Sequence, residues 1–165
     1  MEKGAYYPCE PEFIPEKKFM ERALVLAKMA LSGGDIPVGC VIEKDGVIIG
    51  EGYNTRERDK DPLGHAEVNA IKEASKNLGD WRLTGCRLYV TLEPCRMCSG
   101  ASINARIERI IYGADDFAVS SCNQDDLDHH SPAHKIKVFP NFMEEECKKM
   151  LQSFFKDLRK NQTEN

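Results

Sequence analysis

The order of the predicted helices and strands indicates an α/β fold, a three-layer α/β/α sandwich with a mixed, roughly five-stranded sheet. Two strands follow the first helix, helices and strands alternate through the middle of the chain, and a long helix ends it. The length of 165 residues suits one domain, and contents of 41% hydrophobic and 30% charged residues are those of an ordinary globular protein. We therefore expect residues 1–165 to form a single domain.

The first third of the chain predicts an irregular arm, a helix and a β-hairpin. Residues 1–15 show no periodicity and predict the arm. From about Pro15 to Ser32, apolar residues recur at helical spacing until two glycines end the pattern. The strands Val38–Glu43 and Val47–Tyr53 flank Asp45-Gly46, a dipeptide typical of tight hairpins. The apolar face of the helix comprises Phe19, Met20, Ala23, Leu24, Ala27, Ala30 and Leu31.

The middle of the chain alternates between helix and strand. Residues 54–62 are polar and predict a loop, and the run from His65 to Leu78 then has helical spacing, with Val68, Ile71, Ser75 and Leu78 on one face. Buried strands are predicted at Arg87–Leu92 and at Ile107–Tyr112. A helix should lie between these two strands, so that both of its neighbours in sequence join the sheet.

The last third contains the least predictable segment and the clearest helix. Gly113 to His134 predicts a solvated loop; a second metal site, made by Cys122 with His129, His130 and His134, is the alternative. Lys135–Phe139 predicts the last strand. The final helix carries an apolar stripe, which is core in most proteins. The stripe comprises Met143, Cys147, Met150, Leu151, Phe154, Phe155 and Leu158.

Two short motifs, His65-Ala66-Glu67 and Pro94-Cys95-Arg96-Met97-Cys98, predict a metal site. One imidazole and two thiolates leave the fourth position of a tetrahedral zinc for water, which is the composition of a catalytic zinc site. Each motif lies at the predicted start of a helix, where the partial positive charge favours thiolates. We therefore predict one Zn2+ per chain, bound by His65, Cys95 and Cys98, with both helices on the same face of the sheet.

Glu67 is the predicted catalytic residue. It lies two residues from His65, too close to bind the same metal comfortably but well placed to move protons beside it. Zinc lowers the pKa of a bound water from about 15.7 to near 7, and a carboxylate can take the proton that this water loses. Transfer of that proton to a ring nitrogen and to a leaving amine is worth about 10²–10⁴-fold in rate. The products would be ammonia and a carbonyl.

Other roles for the cysteine pair are less well supported by the sequence. Structural zinc sites usually have four protein ligands, and no second C-x-x-C or H-x₃₋₅-H pair lies at the usual spacing. A redox C-x-x-C usually follows a thioredoxin-like pattern and has no matched H-x-E. The pattern H-x-E followed by P-C-x-x-C is instead typical of zinc-dependent deaminases of nucleobases.

Charge, hydropathy and cysteine content limit the setting in which the chain works. The net charge of −4 does not indicate the basic face that duplex binders usually show. Apolar runs near 18 residues and a charged leader are absent, which predicts neither a membrane span nor a signal peptide. Of the seven cysteines, five lie outside the zinc motif and predict reduced, buried thiols in a cytoplasmic protein. These are Cys9, Cys40, Cys86, Cys122 and Cys147.

The chain resembles the cytidine deaminase superfamily, and more narrowly the bacterial tRNA-specific adenosine deaminases. The resemblance extends from the first helix to Arg159, and its last part, Phe154 to Arg159, is more particular to the tRNA enzymes. The other segments that carry it are Asp35 to Gly39, Gly52 to Asn54, Trp81 to Cys86, Leu88 to Cys98, Asn104 to Ile107 and Tyr112 to Ala114.

The resemblance implies a cytidine deaminase-like fold, a homodimer and one zinc per subunit. It implies conversion of adenosine to inosine at the wobble position of a tRNA anticodon stem-loop. Asn54 matches an asparagine that hydrogen-bonds the bound nucleotide, and Phe155 and Arg159 match positions near the RNA. The dimer surface is expected around Ala101 to Ile107, where Ala101, Ile103 and Ile107 alternate with Ser102, Asn104 and Arg106.

Two departures from the family pattern keep a second substrate class open. Asp61-Pro62-Leu63-Gly64 replaces the usual Asp-Pro-Thr-Ala, and Phe117 to Leu127 replaces a segment rich in lysine and glycine. The replacement introduces Asp125 and Asp126, and carboxylates near an RNA path repel phosphate. The alternative is therefore a deaminase of a free nucleobase, nucleoside or related small aminated heterocycle. A zinc-binding or RNA-binding protein without catalysis is a third possibility, against which Glu67 argues.

Overall fold

The computed structural model describes residues 12–116, 122, 124–130 and 134–163. Its sheet has five strands in the order β2-β1-β3-β4-β5. β1 is antiparallel to both β2 and β3, whereas β3, β4 and β5 are parallel. The predicted mixed five-stranded sheet is thus confirmed. The strands are β1 (Gly39–Lys44), β2 (Val47–Tyr53), β3 (Arg87–Leu92), β4 (Arg109–Ala114) and β5 (Lys137–Phe139).

Helices cover both faces of the sheet. They are α1 (Lys17–Ser32), α2 (Arg56–Asp59), α3 (Ala66–Leu78), α4 (Arg96–Asn104), α5 (Gln124–His130) and α6 (Glu144–Thr163). Residues of α1 and α6 pack with Val41, Tyr89 and Ile111 on one face. The alanines of α3 and the residues after α4 pack with Leu88 and Ile110 on the other face, so α3 and α4 share it. No helix within the described residues is long and apolar enough to cross a membrane.

Two helices formed where the sequence predicted loops. The four-residue α2 lies inside residues 54–62, and its amides bond to the distant carboxylate of Asp35. The helix α5 lies inside the segment Gly113 to His134, and it buries Leu127 in the core beside Cys122. The interpretation of that segment as a solvated loop was therefore wrong. Both helices depend on contacts between residues far apart in sequence, which local periodicity does not reveal.

Glycines in β2 allow α3 to pack closely against the sheet. A Cβ at Gly52 would lie 2.2 Å from the carbonyl oxygen of Ala66 and 2.5 Å from the nitrogen of Ala70. The deepest face of α3 consequently consists of small residues, Ala66, Ala70 and Ala74. The predicted face of Val68, Ile71, Ser75 and Leu78 is only half-buried, because the helix is rotated to place its alanines against these glycines.

The apolar stripes of the first and last helices also differ in part from prediction. In α1, Leu26 is buried whereas Leu31 is exposed at the end of the helix. In α6, Cys147 is buried against β4, but exposure increases toward the end of the helix, and Phe155 and Leu158 are exposed. The carboxyl-terminal part of α6 therefore presents apolar side chains to solvent, contrary to the expectation that the stripe is core. Arm residues 1–11 lie outside the described residues, and residues 12–16 form neither helix nor strand.

Candidate active site

The two predicted zinc motifs occupy the beginnings of two neighbouring helices. His65 is the residue before α3, and Cys95 is the residue before α4, and both have extended backbone. Cys98 follows in the first turn of α4 and is fully buried, whereas Cys95 is half-buried. β3 ends at Leu92, just before the turn that starts α4, whereas the segment that contains α2 leads from the end of β2 to His65. The metal-binding side chains therefore meet at one end of the sheet.

The three predicted ligands lie close enough together to bind one metal ion. The Nδ1 atom of His65 is 3.7 Å from the Sγ atom of Cys95 and 3.5 Å from that of Cys98. All three ligand atoms lie within 4.8 Å of one another. Tetrahedral zinc with Zn–S bonds of about 2.3 Å and Zn–N bonds of about 2.0 Å needs sulfur-to-nitrogen separations of about 3.5 Å. The donor set and its spacing therefore fit zinc.

Hydrogen bonds set the proton distribution within this cluster. Bonds from Cys98 and then His65 lower the pKa of Cys95 to about 3. The same bond to Cys95 raises the pKa of Cys98, and the bond between His65 and Cys95 raises the pKa of the imidazole. Cys95 is thus a thiolate at neutral pH, while Cys98 and His65 bind their protons more tightly than usual. Zinc needs two thiolates and a neutral imidazole, so its binding displaces those protons.

Glu67 lies in the first turn of α3 with only 4% of its surface exposed. Burial raises the pKa of its carboxyl to about 7. A buried carboxyl with this pKa can both accept and donate a proton near neutral pH, which is the requirement for general acid–base catalysis. Its position beside His65 and Cys95 brings that capacity to the candidate metal centre.

Asn54 connects β2 to the start of α3. Its Oδ1 atom accepts the Ala66 N–H at 3.0 Å, and its Nδ2 atom donates to the Ile36 carbonyl at 3.2 Å. The first amides of a helix have no partners within the helix, and His65 offers them no side-chain bond. Asn54 therefore caps α3 from a neighbouring strand, and its side chain also lines the cavity described next.

A cavity of about 220 Å³ opens beside the three ligands. It is smaller than typical small-molecule pockets of about 300–1,000 Å³, and its size suits a single base better than a larger ligand. Carboxylates dominate its polar lining, with Arg56 as the single cation among the lining residues. The residues that line it are Ile36, Val38, Asn54, Arg56, Glu57, His65, Glu67, Leu92, Glu93, Cys95 and Asp116.

Sequence reasoning identified four of these lining residues and missed most of the others. Ile36, Val38, Leu92 and Glu93 belong to motifs that carried the family resemblance. Their place in those motifs is the sequence feature that could have identified them as site residues. Arg56 and Glu57 were placed in a featureless loop. Asp116 lies in the segment Gly113 to His134, which was predicted to be a solvated loop.

The alternative second metal site gains no support within the described residues. Cys122 is buried in the core on the α3 side of the sheet. His134 lies with its Nε2 atom 2.6 Å from the Ile107 carbonyl oxygen. The side chains of His129 and His130 lie outside the part of the chain that the structure describes. Among the described residues, the one group arranged to hold a metal is His65 with Cys95 and Cys98.

Comparison with known proteins agrees with this geometry. The zinc-binding region of cytidine and deoxycytidylate deaminases matches residues 14–114. A tRNA-specific adenosine deaminase of Bacillus subtilis (strain 168) is 41% identical over 147 residues, which cover 88% of this chain and 91% of that protein.

Two solved structures are similar as well. One comes from a study of A-to-I editing by tRNA:A34 deaminases at the wobble position of transfer RNA. It has a TM-score of 0.77 and 36% identity, and the match covers 82% of this chain and 100% of the other. The second, a guanine deaminase of Bacillus subtilis, has a TM-score of 0.59 and 37% identity, with 74% and 72% covered. The chain therefore belongs to the cytidine and deoxycytidylate deaminase family of zinc-binding proteins, in the group that includes the tRNA-specific adenosine deaminases.

Proposed function

We propose that this chain is a zinc-dependent hydrolytic deaminase that converts adenosine to inosine at the wobble position of a tRNA anticodon. The observation that carries the proposal is the buried carboxyl of Glu67 beside a three-ligand zinc set, in a cavity the size of one base. The 41% identity to a tRNA-specific adenosine deaminase over most of both chains supports the substrate.

His65, Cys95 and Cys98 would hold the zinc, and Glu67 would carry the protons. When bound, zinc acts as a Lewis acid that makes water acidic near neutral pH. Glu67 accepts one proton from the attacking water and delivers it to a nitrogen of the purine ring. It then takes the remaining proton from the hydroxyl group added to the ring and gives it to the amine, so that the C–N bond breaks and the products are a carbonyl and ammonia. A base in an anticodon loop reaches such a pocket at low cost because it is already unpaired.

The proposed partners are a second copy of the chain and a tRNA anticodon stem-loop, in the cytoplasm. The dimer surface is narrower than the sequence suggested, since Ser102 and Ile107 are fully buried within the chain itself. On α4, Ala101 and Ile103 are half-buried and Asn104 is exposed, so these three remain available for the contact. Phe155 and Arg159 are exposed on α6 and are the proposed RNA contacts.

A second candidate is deamination of a free purine base. Its support is the 37% identity to a guanine deaminase, together with the acidic lining of the cavity. Glu57, Glu93 and Asp116 can accept hydrogen bonds from the N–H groups of a purine, and they would repel a nearby phosphate.

Parallel assays distinguish the two candidates. The zinc-loaded chain is incubated with a tRNA that has adenosine at the wobble position, and separately with guanine, adenine and adenosine. We expect inosine in the tRNA and little turnover of the free compounds. Glu67→Gln should keep its zinc and fold but lose about 10²-fold or more in rate. Rapid turnover of guanine without inosine formation would favour the second candidate, and near-full activity of Glu67→Gln would contradict the role of Glu67.

A further inference from the structure

Two buried carboxylates beside the cavity have no role in the proton transfers described above. Asp35 is 2% exposed and precedes β1, and Glu93 is 8% exposed and follows β3. Among the described residues, neither forms an ion pair with a lysine or arginine; each accepts backbone N–H groups instead. A carboxylate that is removed from water needs such partners, so these bonds account for its burial.

Asp35 holds the segment that contains α2. Its Oδ1 atom accepts the Glu57 N–H at 2.7 Å, and its Oδ2 atom accepts the Arg58 N–H at 3.2 Å. The helix has only four residues, and Thr55 makes no side-chain bond to its first amides. A helix this short has little stability of its own, so the carboxylate is a main determinant of its position. Arg56 and Glu57 on this segment line the cavity.

Glu93 holds a second segment of the lining in the same way. Its Oε2 atom accepts the Asp116 N–H at 3.1 Å, and its Oε1 atom accepts the Cys122 N–H at 3.0 Å. The backbone N–H of Glu93 also donates to the Ala114 carbonyl at 2.8 Å. Asp116 lines the cavity, and Cys122 is buried in the core. One side chain thus fixes the chain on both sides of residues 117–121, which lie outside the described residues.

We infer that Asp35 and Glu93 are positioning residues that set the walls of the base pocket. Each uses both carboxylate oxygens to hold two amides, and each pair of amides belongs to a segment that presents a charged side chain to the cavity. The substitutions Asp35→Asn and Glu93→Gln keep the shape but turn one acceptor into a donor that faces an N–H group. The held segment should then shift, and substrate binding should weaken more than the chemical step slows. The effect on binding rests on the proposed function.

Amide hydrogen exchange tests the positioning without any substrate. In Glu93→Gln, the amides of Asp116 and Cys122 should exchange about tenfold faster or more, because a charge-assisted bond is lost, while those of Glu57 and Arg58 stay unchanged. Asp35→Asn should give the reverse pattern, so each variant is the control for the other.

Glu73→Gln is a matched control elsewhere in the fold. The Glu73 carboxylate accepts the Glu51 N–H on the exposed side of α3, and Glu73 is not among the residues that line the cavity. Loss of this hydrogen bond in Glu73→Gln should speed amide hydrogen exchange at Glu51 alone. Unchanged amide exchange at Asp116 and Cys122 in Glu93→Gln would overturn the inference. So would an equal increase in exchange, in all three variants, at the amides that Asp35 and Glu93 hold.

Kinetics then test the consequence for the pocket. Both Asp35→Asn and Glu93→Gln should raise KM about tenfold with kcat changed less than about threefold, and both should retain zinc. Loss of zinc, or a fall in kcat with KM unchanged, would contradict a positioning role.

If Glu93→Gln does not fold, Glu93→Asp replaces it, because the shorter carboxylate cannot reach both amides. Normal amide exchange and a normal KM in that variant would also overturn the inference. A wild-type chain inactive on tRNA would refute the proposed function, whereas the exchange pattern would still decide the positioning.

Discussion

The side chain of Asn54 has two functions available to it at the same time. Its hydrogen bonds to Ala66 and Ile36 fix the start of α3, and its place in the cavity wall offers contact with a substrate. Capping alone explains why an asparagine is suitable here, since a side-chain acceptor satisfies a helix amide that would otherwise have no partner. A substrate contact is the additional role that the family resemblance implies.

Substitution of Asn54 separates the two roles. Asn54→Ala removes the cap and should lower the free energy of unfolding by about 1 kcal/mol, and it should also raise KM about tenfold if the amide contacts the substrate. Asn69→Ala is the control, because the Asn69 amide bonds to the Tyr53 carbonyl and to Thr55 but is not among the residues that line the cavity. It should lower stability without changing KM. Equal KM values for the two variants would reduce Asn54 to a structural residue.

Cys147 predicts how stability depends on alkaline pH. It is 1% exposed, and burial raises the pKa of its thiol to about 12. The thiol of the unfolded chain has a pKa of about 8.5 and ionises first, so stability falls by about 1.4 kcal/mol per pH unit for this thiol as pH rises from about 9 towards 12. Below pH 8 this contribution is fully retained.

The variant Cys147→Ala should therefore lose stability less steeply with pH. Urea unfolding at several values between pH 8 and pH 10.5 would measure the slope, with Ser153→Ala on the exposed side of α6 as a control. The loss of side-chain packing changes the free energy of unfolding equally at every pH. The loss of the ionisable thiol changes how steeply that free energy falls with pH. Parallel slopes for Cys147→Ala and the wild type would show that the folded thiol ionises normally.

Individual residues of the site differ in how visible they were in the sequence. His65, Glu67, Cys95 and Cys98 have fixed spacings, because a helix start brings residues a few positions apart to one point, and the structure brings all four together. Glu57 and Asp116 reach the cavity only because distant carboxylates hold their backbones. Contacts of that kind depend on the tertiary fold and leave no local pattern.

Among the elements, the strands followed the sequence prediction more closely than the helices did. β2 and β3 have the predicted bounds, and β1 and β4 are displaced by one or two residues. The central strands β1, β3 and β4 are almost wholly buried, as their apolar runs predict. The rotation of α3 could not be read from its apolar residues, since the glycines of β2 favour small residues at the closest approach.

Gly52→Ala tests that close approach. The added Cβ would lie 2.2 Å from backbone of α3, so the helix must move away from the sheet and carry His65 with it. We expect a loss of about 1–3 kcal/mol in the free energy of unfolding of the zinc-free chain from overpacking. Zinc affinity should also fall, because the ligands on α3 and α4 separate, and competition with a chelator would measure it.

A glycine at the end of α1 provides the control for this substitution. A Cβ at Gly33 would be 3.4 Å from its nearest atom, so Gly33→Ala should leave zinc affinity unchanged. Normal stability and normal zinc affinity in Gly52→Ala would show that the sheet and α3 have room to separate without moving the site.

Charge is the property of the whole molecule that bears most on its partner. The net charge is −4, and carboxylates line the cavity, so a long-range attraction for RNA is not evident from the total. Binding of tRNA would then depend on local cations, and the exposed end of α6 with Phe155 and Arg159 offers one such surface. A free base carries no phosphate and needs no such surface.

The dependence of KM on salt therefore separates the two candidate substrates. If the chain acts on tRNA, each phosphate contact releases counterions, and KM should rise about tenfold or more between 50 and 200 mM salt. Arg159→Gln should weaken tRNA binding. It should also reduce the slope of log KM against log salt by about 1, because one phosphate contact is lost. Arg82→Gln is the control, because Arg82 stacks on Trp81 in the loop after α3, at the opposite end of that helix from His65. Turnover of a free base would be nearly independent of salt. A salt-independent KM for tRNA, or equal slopes for the two arginine variants, would contradict the placement of the anticodon stem on α6.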